Sequence, residues 1–344
     1  MEAARFFDDV VSYFDLSATE FDDKVDEIMI DAGGWPAVEQ VLSWAYLNRD
    51  EKVLQSAHLA LNKIYALVTL VREAGVVSPE GSAVFARIRF MLERHFLNYL
   101  EREAGAMMPP EIPDENFEAW LQNFIARHPA AEHHTYTKYL ADQADLTDIR
   151  YYLVQESAID ANTDDFLAAL QIGAPKPSKL EIAANYWDEM GEGDHNLLHS
   201  DLFKKALSSF SISHDETVDA FTLEALVCGN LQTMLSMRRE LFHMGVGYFA
   251  ATEQLVPERF KALKKGWERV GLTNEGAEYH LLHIEVDSHH TQRWYRNVVA
   301  PLGRQSANCR LHMLKGAIFR LYTSNAYLNA LARKFASGAE AMAN

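Results

Sequence analysis

Near the C-terminal end of the chain, two imidazoles and a carboxylate recur on one helical face. In the run Glu278-Tyr279-His280-Leu281-Leu282-His283-Ile284-Glu285-Val286-Asp287-Ser288-His289-His290, residues His283, Asp287 and His290 follow the spacing H-x3-D-x2-H. A helix completes a turn every ~3.6 residues, so positions i, i+4 and i+7 point the same way. Nitrogen and oxygen donors presented together form the ligand set of a non-heme iron or zinc ion. Tyr279, Leu282, Val286, Trp294 and Val298 mark the core face of the same helix, so the three polar side chains look inward, where a metal would satisfy them. His280, Glu285 and His289 fall elsewhere on the wheel and are expected at the surface.

Two further stretches place ionisable residues where the apolar pattern wants carbon. Over 147–160, Ile149, Tyr152, Leu153 and Ile159 form a buried stripe that contains Glu156. A buried carboxylate must be protonated, paired with an arginine or bound to a metal. Over 185–199, Glu189 shares a face with Ile182 and Tyr186, Gly191 and Gly193 interrupt the helix, and His199 opens a new stripe with Leu202, Phe203 and Ala206. The break lets two helix ends deliver a carboxylate and an imidazole to one point. Glu192 and Asp194 flank the glycines and read as solvated turn acids. Glu156, Glu189, His199, His283, Asp287 and His290 are too many ligands for one ion and suit two ions bridged by a carboxylate. Mixed nitrogen and oxygen donors without thiolate favour iron or manganese over structural zinc. A rival set, the Glu-x-x-His pairs Glu192–His195 and Glu240–His243, ranks lower because the first spans a glycine turn.

The elements that position these residues read as helices almost throughout, with no alternating pattern long enough for a sheet. In the N-terminal part, Phe6, Phe7, Val10, Val11, Tyr13 and Phe14 recur at helical spacing. A helix is expected over 51–74, with Leu61, Ile64, Leu67, Val68 and Val71 on one side and Gly75 to end it, and another from Ser78-Pro79-Glu80 to about Ala104. The run Met107-Met108-Pro109-Pro110-Glu111-Ile112-Pro113 cannot continue a helix and marks a boundary between an N-terminal domain, 1–108, and a second domain, 115–338. Pro257 and Pro301 are expected to punctuate later helices, including 236–256 and 257–270. His133 and His134 read as loop or surface residues.

Composition narrows the function classes. The net charge of −17 argues against nucleic acid and against an anionic membrane surface. Cys228 and Cys309 form no metal-binding or CxxC spacing, which points to a reducing compartment. The first residues lack a signal-peptide pattern and no apolar run is long enough to span a membrane, so the cytoplasm is expected.

The segment Tyr186-Trp187-Asp188-Glu189-Met190-Gly191-x-Gly193, then His199 with Leu202-Phe203, then His283-x3-Asp287-x2-His290, resembles the heme-oxygenase-like diiron oxidases. Glu156 fits that family's first metal carboxylate. The resemblance covers about 115–338 and implies an all-α seven-helix bundle of the heme oxygenase type, with the N-terminal part as a helical extension used for homodimerisation. It implies two Fe(II) ions, O2 as co-substrate and a small-molecule substrate, a small amine, an amino acid or a fatty acid. N-oxygenation, oxidative C–C cleavage and decarboxylation are the reactions it suggests, with an amino-acid-like substrate in specialised metabolism preferred. On this reading Glu156 bridges the ions, Glu189, His199 and His290 bind one, and His283 and Asp287 hold the other. Some N-oxygenating members carry an extra carboxylate three residues before the equivalent of His199; here that residue is Asn196, which weakens an N-oxygenase assignment. By helical spacing Glu253 shares a face with Phe242, Gly245 and Phe249 and reads either as a residue behind the ligands or at the substrate or as half of a structural ion pair, and Arg310, with Lys315 and Arg320, reads either as a solvated base or as a candidate for a substrate carboxylate.

Two other functions remain open from the sequence. A thiaminase-like hydrolase on the same fold needs an activated cysteine, and neither Cys228 nor Cys309 has an activating neighbour. A non-catalytic helical binding or dimerisation protein needs only that the polar core be structural.

Overall fold

The structure, a computed structural model, describes the backbone of residues 3–160 and 163–343. The side chains of 3, 4, 214, 215, 219, 285–288 and 338–343 lie outside the described residues. The chain is all-α, with no strand among the described residues. It divides into two compact units, Met1–Ala106 and Met107–Asn344. No helix of the described residues is long and apolar enough to cross a membrane.

The first unit contains α1 (Ala3–Ser12), α2 (Ala18–Asp31), α3 (Trp35–Asn48), α4 (Glu51–Thr69) and α5 (Ala83–Gly105). Phe6, Phe7, Val10 and Phe14 are buried, Val11 and Tyr13 of the same stripe only half-buried, and Phe14 and Phe21 pack edge-on against Phe85. α4 stops at Thr69, five residues early: Leu70 turns extended and Val71 is fully exposed, so Val71 holds no place in the core. Ser78-Pro79 opens only a short 3-10 turn, and Ser82 caps α5, its hydroxyl accepting from the Phe85 N–H.

In the second unit α6 (Phe117–Ala126) and a π-helical turn at Thr135–Leu140 precede α7 (Leu146–Asp160), α8 (Thr163–Leu170) and α9 (Lys176–Glu189). Then come α10 (His199–Ser209), α11 (His214–Ala220), α12 (Leu223–Met237), α13 (Phe242–Arg269), α14 (Glu278–Trp294), α15 (Ala300–Gly303) and α16 (Ala307–Ala343). α13 is the axis of the unit and packs along both α14 and α16. The crossing of α13 and α16 is backbone on backbone. A Cβ on Gly247 would lie 1.7 Å from the Met313 carbonyl oxygen, and one on Gly316 would lie 1.8 Å from that of Met244. Only glycine fits there.

Pro257 does not separate two helices. It lies inside the continuous 28-residue α13. Proline lacks the N–H that would bond the carbonyl four residues back, which is that of Glu253. The Thr291 hydroxyl of α14 donates to that carbonyl instead, at 2.9 Å. The lost helical bond thus becomes a tie between α13 and α14, one residue from His290.

Candidate metal centre

Glu189 is the last residue of α9 and His199 the first of α10. Between them Gly191, Glu192 and Gly193 all take positive φ, at 59°, 53° and 91°. The turn is tight: a Cβ on Gly191 would sit 2.7 Å from the Leu197 carbonyl carbon. The chain therefore reverses on itself, and the two helix ends meet as the glycines predict. α14 supplies the third group. Glu189, His199 and His283 are buried, and one ligand atom from each lies within 4.8 Å of the others.

The detailed geometry is that of donors aimed at a common point. His199 Nδ1 is 2.8 Å from Glu189 Oε2, yet it is not aligned for a hydrogen bond. His283 Nε2 is 3.8 Å from Glu189 Oε1. Two ligand atoms each about 2.1 Å from an ion lie 2.8 Å apart at an angle of about 85° and 3.8 Å apart at about 130°. His283 Nδ1 donates to the Tyr279 carbonyl at 2.7 Å, which leaves the Nε2 lone pair facing Glu189. Burial opposes charge on Glu189, but the imidazoles of His199 and His283 beside it outweigh that and hold the carboxyl well below the usual carboxylate range. The carboxylate stays ionised and is suited to a cation. These donors fit a metal ion such as iron.

A second group lies one to two turns further along α14. His290 is buried, with Nε2 at 2.5 Å from Asp188 Oδ2 and Nδ1 at 3.7 Å from Glu253 Oε2. Glu253 is itself buried on α13, beside the carbonyl tied to Thr291. The Asp287 side chain lies outside the described residues.

Glu156 is buried but sits in different company. Tyr152 donates to Oε1, and His280 Nε2 lies 3.1 Å from Oε2. Tyr136 continues the chain to Tyr152 at 2.8 Å. Burial pushes the Glu156 carboxyl up to about 8, against the pull of Tyr152 and Asp160, and pushes His280 down to about 3. Glu156 is therefore protonated and His280 neutral around neutral pH. His280 is not at the surface, as its place on the wheel suggested. Its helical face turns toward Glu156 of α7 and toward Phe260 and Trp267 of α13, which enclose it. His289 is exposed, and Glu285 lies outside the described residues. Among the described residues no arginine pairs with Glu156: the nearby Arg259 donates to the Ala130 carbonyl and to Ser324.

The weaker candidates divide. Asn196 is exposed and bonded to Asp194 in the glycine turn. Arg310 is buried but spent on the Gly303 carbonyl and on Asp114. Lys315 is half-buried, and Arg320 is buried with Nε donating to Thr252 at 3.0 Å. His133 is buried against Thr135 and Asn329, while His134 is exposed. In the rival Glu-x-x-His pairs, Glu192, His195 and Glu240 are exposed. Cys228 is buried, and burial pushes its thiol up, the reverse of what a nucleophile needs. Sequence reasoning passed over Asp188, although it stands beside Glu189 in the same quoted run; the signal was an acid one residue from a ligand on the same helix.

The profile of a family of iron-containing redox enzymes matches residues 150–323. The chain belongs to that iron-containing redox enzyme family. Its all-α architecture is the heme-oxygenase-like fold of that family. A nitrosourea synthase from Streptomyces achromogenes subsp. streptozoticus is 24% identical over 273 residues, which cover 73% of the chain and 57% of the relative. The chain thus spans somewhat over half the length of that curated relative. Membership makes iron the metal to be expected at Glu189, His199 and His283.

Proposed function

We propose that the protein is an O2-dependent diiron oxidase or oxygenase that acts on a small amine or amino-acid-like substrate in specialised metabolism. The observation that carries this reading is the convergence of Glu189, His199 and His283, with His199 Nδ1 and Glu189 Oε2 2.8 Å apart and out of line for a hydrogen bond. Those three residues would hold the first ion. Glu253, His290 and Asp287 would hold the second, with Glu253 rather than Glu156 as the carboxylate, because both Glu156 oxygens already have partners. When bound, two ferrous ions supply the electrons that reduce O2.

The chain's own contribution is to keep Glu189 ionised, to fix the His283 ring through Tyr279, and to bury the donors among Tyr279, Phe203 and Phe260. That burial limits water at the site. The relative named nitrosourea synthase favours oxidation at nitrogen, while Asn196, where some N-oxygenating members carry a carboxylate, speaks for different chemistry at that position. The first unit is proposed to be the dimerisation domain, since Ile30, Trp44 and Leu47 are exposed on it. Anaerobic loading with Fe(II), followed by a pulse of O2, tests the reading. Two irons per chain and rapid O2 uptake support it; no iron uptake leaves a structural polar core and refutes it.

A further inference from the structure

We propose that Arg320 and Arg259 form an interior receptor for the carboxylate of a small amino acid. The receptor stands on its own observations; that the amino acid is the substrate rests on the oxidase reading. Among the described residues the buried arginines are Arg259, Arg310 and Arg320. Arg310 meets an acid, Asp114. Among the described residues Arg259 and Arg320 form no ion pair with a carboxylate, and their partners are neutral. Arg259 Nη2 donates to the Ala130 carbonyl and the Ser324 hydroxyl, each at 2.8 Å, and Arg320 Nε donates to the Thr252 hydroxyl at 3.0 Å. Each guanidinium also lies over a tyrosine ring, Arg259 over Tyr136 at 5.4 Å and Arg320 over Tyr248 at 5.5 Å. Rings and hydroxyls supply no counter-charge, and the two cations are near enough to repel each other. A buried charge in this state is costly unless an anion joins it.

The groups left over are donors. On α16, Arg320, Ser324 and Tyr327 are spaced i, i+4 and i+7 and share a face; on α13, Thr252 and Arg259 are spaced i and i+7 and share another. The two faces meet through crossed bonds: Arg259 of α13 reaches Ser324 of α16, and Arg320 of α16 reaches Thr252 of α13. Among the described residues only Nε of the Arg320 guanidinium finds an acceptor, which leaves Nη1 and Nη2. That pair is a fork matched to the two oxygens of a carboxylate. Arg259 Nε and the Tyr327 hydroxyl are buried, with no hydrogen-bond partner among the described residues. Donors gathered without an acceptor call for an anion. Asp160, at the end of α7, is within electrostatic reach of Arg320 but does not fill this place, because it shares a hydrogen bond with Glu156. It is only half-buried, so solvent reaches the end of α7. Asp160 also feels the charge of His283, which puts the receptor and the metal centre in one neighbourhood. An amine without a carboxylate would leave both cations without a counter-charge. The receptor therefore narrows the small amines and amino acids of the oxidase reading to amino acids.

Thermal unfolding of the metal-free, full-length protein tests this. Sodium acetate at about 100 mM, compared with the same concentration of sodium chloride, should raise the Tm by about 3–5 °C, the shift expected of a site with a Kd of about 10 mM. Glycine, which adds an ammonium to the same carboxylate, should do at least as well, and methylammonium chloride should do nothing. Arg320→Gln should lose the shift by binding acetate about 10- to 100-fold more weakly. Arg320→Lys, which keeps the charge without the fork, should retain part of the shift and serves if the glutamine variant folds poorly. Exclusion of acetate from the surface stabilises every variant alike. An equal shift in wild type and Arg320→Gln, or no shift in the wild type, would therefore overturn the proposal. So would a shift with methylammonium equal to that with acetate, or an Arg320-dependent shift larger with inorganic phosphate than with acetate. Acetate binding without glycine binding would overturn the amino-acid assignment. A protein that takes up no iron yet shows the acetate and glycine shifts would sink the oxidase reading and leave the receptor standing.

Discussion

Two buried glutamate–histidine sites lie one helical turn apart along α14, and they behave in opposite ways. At His283, two imidazoles converge on Glu189, and the carboxylate stays ionised. At His280, one imidazole, the Tyr152 hydroxyl and the Asp160 carboxyl surround Glu156, and burial drives Glu156 and His280 neutral. Residue types and depth are nearly the same. The difference is whether a carboxylate is surrounded by groups that tolerate its charge or is closed off by one that shares its proton. The first arrangement could hold a cation; the second meets its carboxyl with protein groups. A buried glutamate beside a histidine is therefore no metal site until its other neighbours are known.

The comparison breaks most visibly if the wrong glutamate proves to hold iron. Glu189→Ala or His199→Ala should weaken the first iron by at least ~100-fold and abolish O2 uptake, read by metal analysis after gel filtration. Glu156→Gln should leave iron loading unchanged. A drop to one iron per chain in that variant would restore Glu156 as a ligand.

Stability against pH sharpens the contrast. The folded Glu156 carboxyl is raised from about 4.5 to about 8. Its contribution is therefore fully present below about pH 4.5 and is lost as the pH rises through about 8. Glu156→Gln removes that loss. In denaturant melts of the metal-free protein, the variant should gain on the wild type between pH 6 and 9, by a few kcal/mol at about one pKa unit per 1.4 kcal/mol. A constant difference across that range would show that Glu156 is ionised in the fold.

Tyr152→Phe should cost about 1–2 kcal/mol, the value of a buried hydrogen bond left half unmade, with no change in iron content. Asn196→Ala, on the exposed glycine turn, should change stability by less than about 0.5 kcal/mol and leave iron binding as it was.

Much of this contrast was legible in the residues. The spacing of His283 and His290, the glycine break between Glu189 and His199, and the buried face carrying Glu156 all follow from helical periodicity, and the structure buries each of these side chains. What periodicity cannot supply is the identity of the neighbour across the interface. His280 looked peripheral because it leaves the apolar stripe of α14, but Phe260 and Trp267 of α13 and Glu156 of α7 close that side. Glu156 and Glu189 look alike on their own helices and part company only through Tyr152 and His199. Asp188 was hidden because its partner lies 102 positions away. Pro257 misled for a related reason: the carbonyl it frees is satisfied by Thr291 of another helix, so α13 runs on where the sequence suggested a junction. Asp287 lies outside the described side chains and stands on its spacing alone.

The central claim is that iron sits between Glu189, His199 and His283. Diffraction from crystals loaded anaerobically with Fe(II), collected on both sides of the iron absorption edge, tests it directly. The account predicts an anomalous peak within about 2.3 Å of Glu189, His199 Nδ1 and His283 Nε2. A peak bound instead by Glu156 and His280, or no peak at either place, would contradict it.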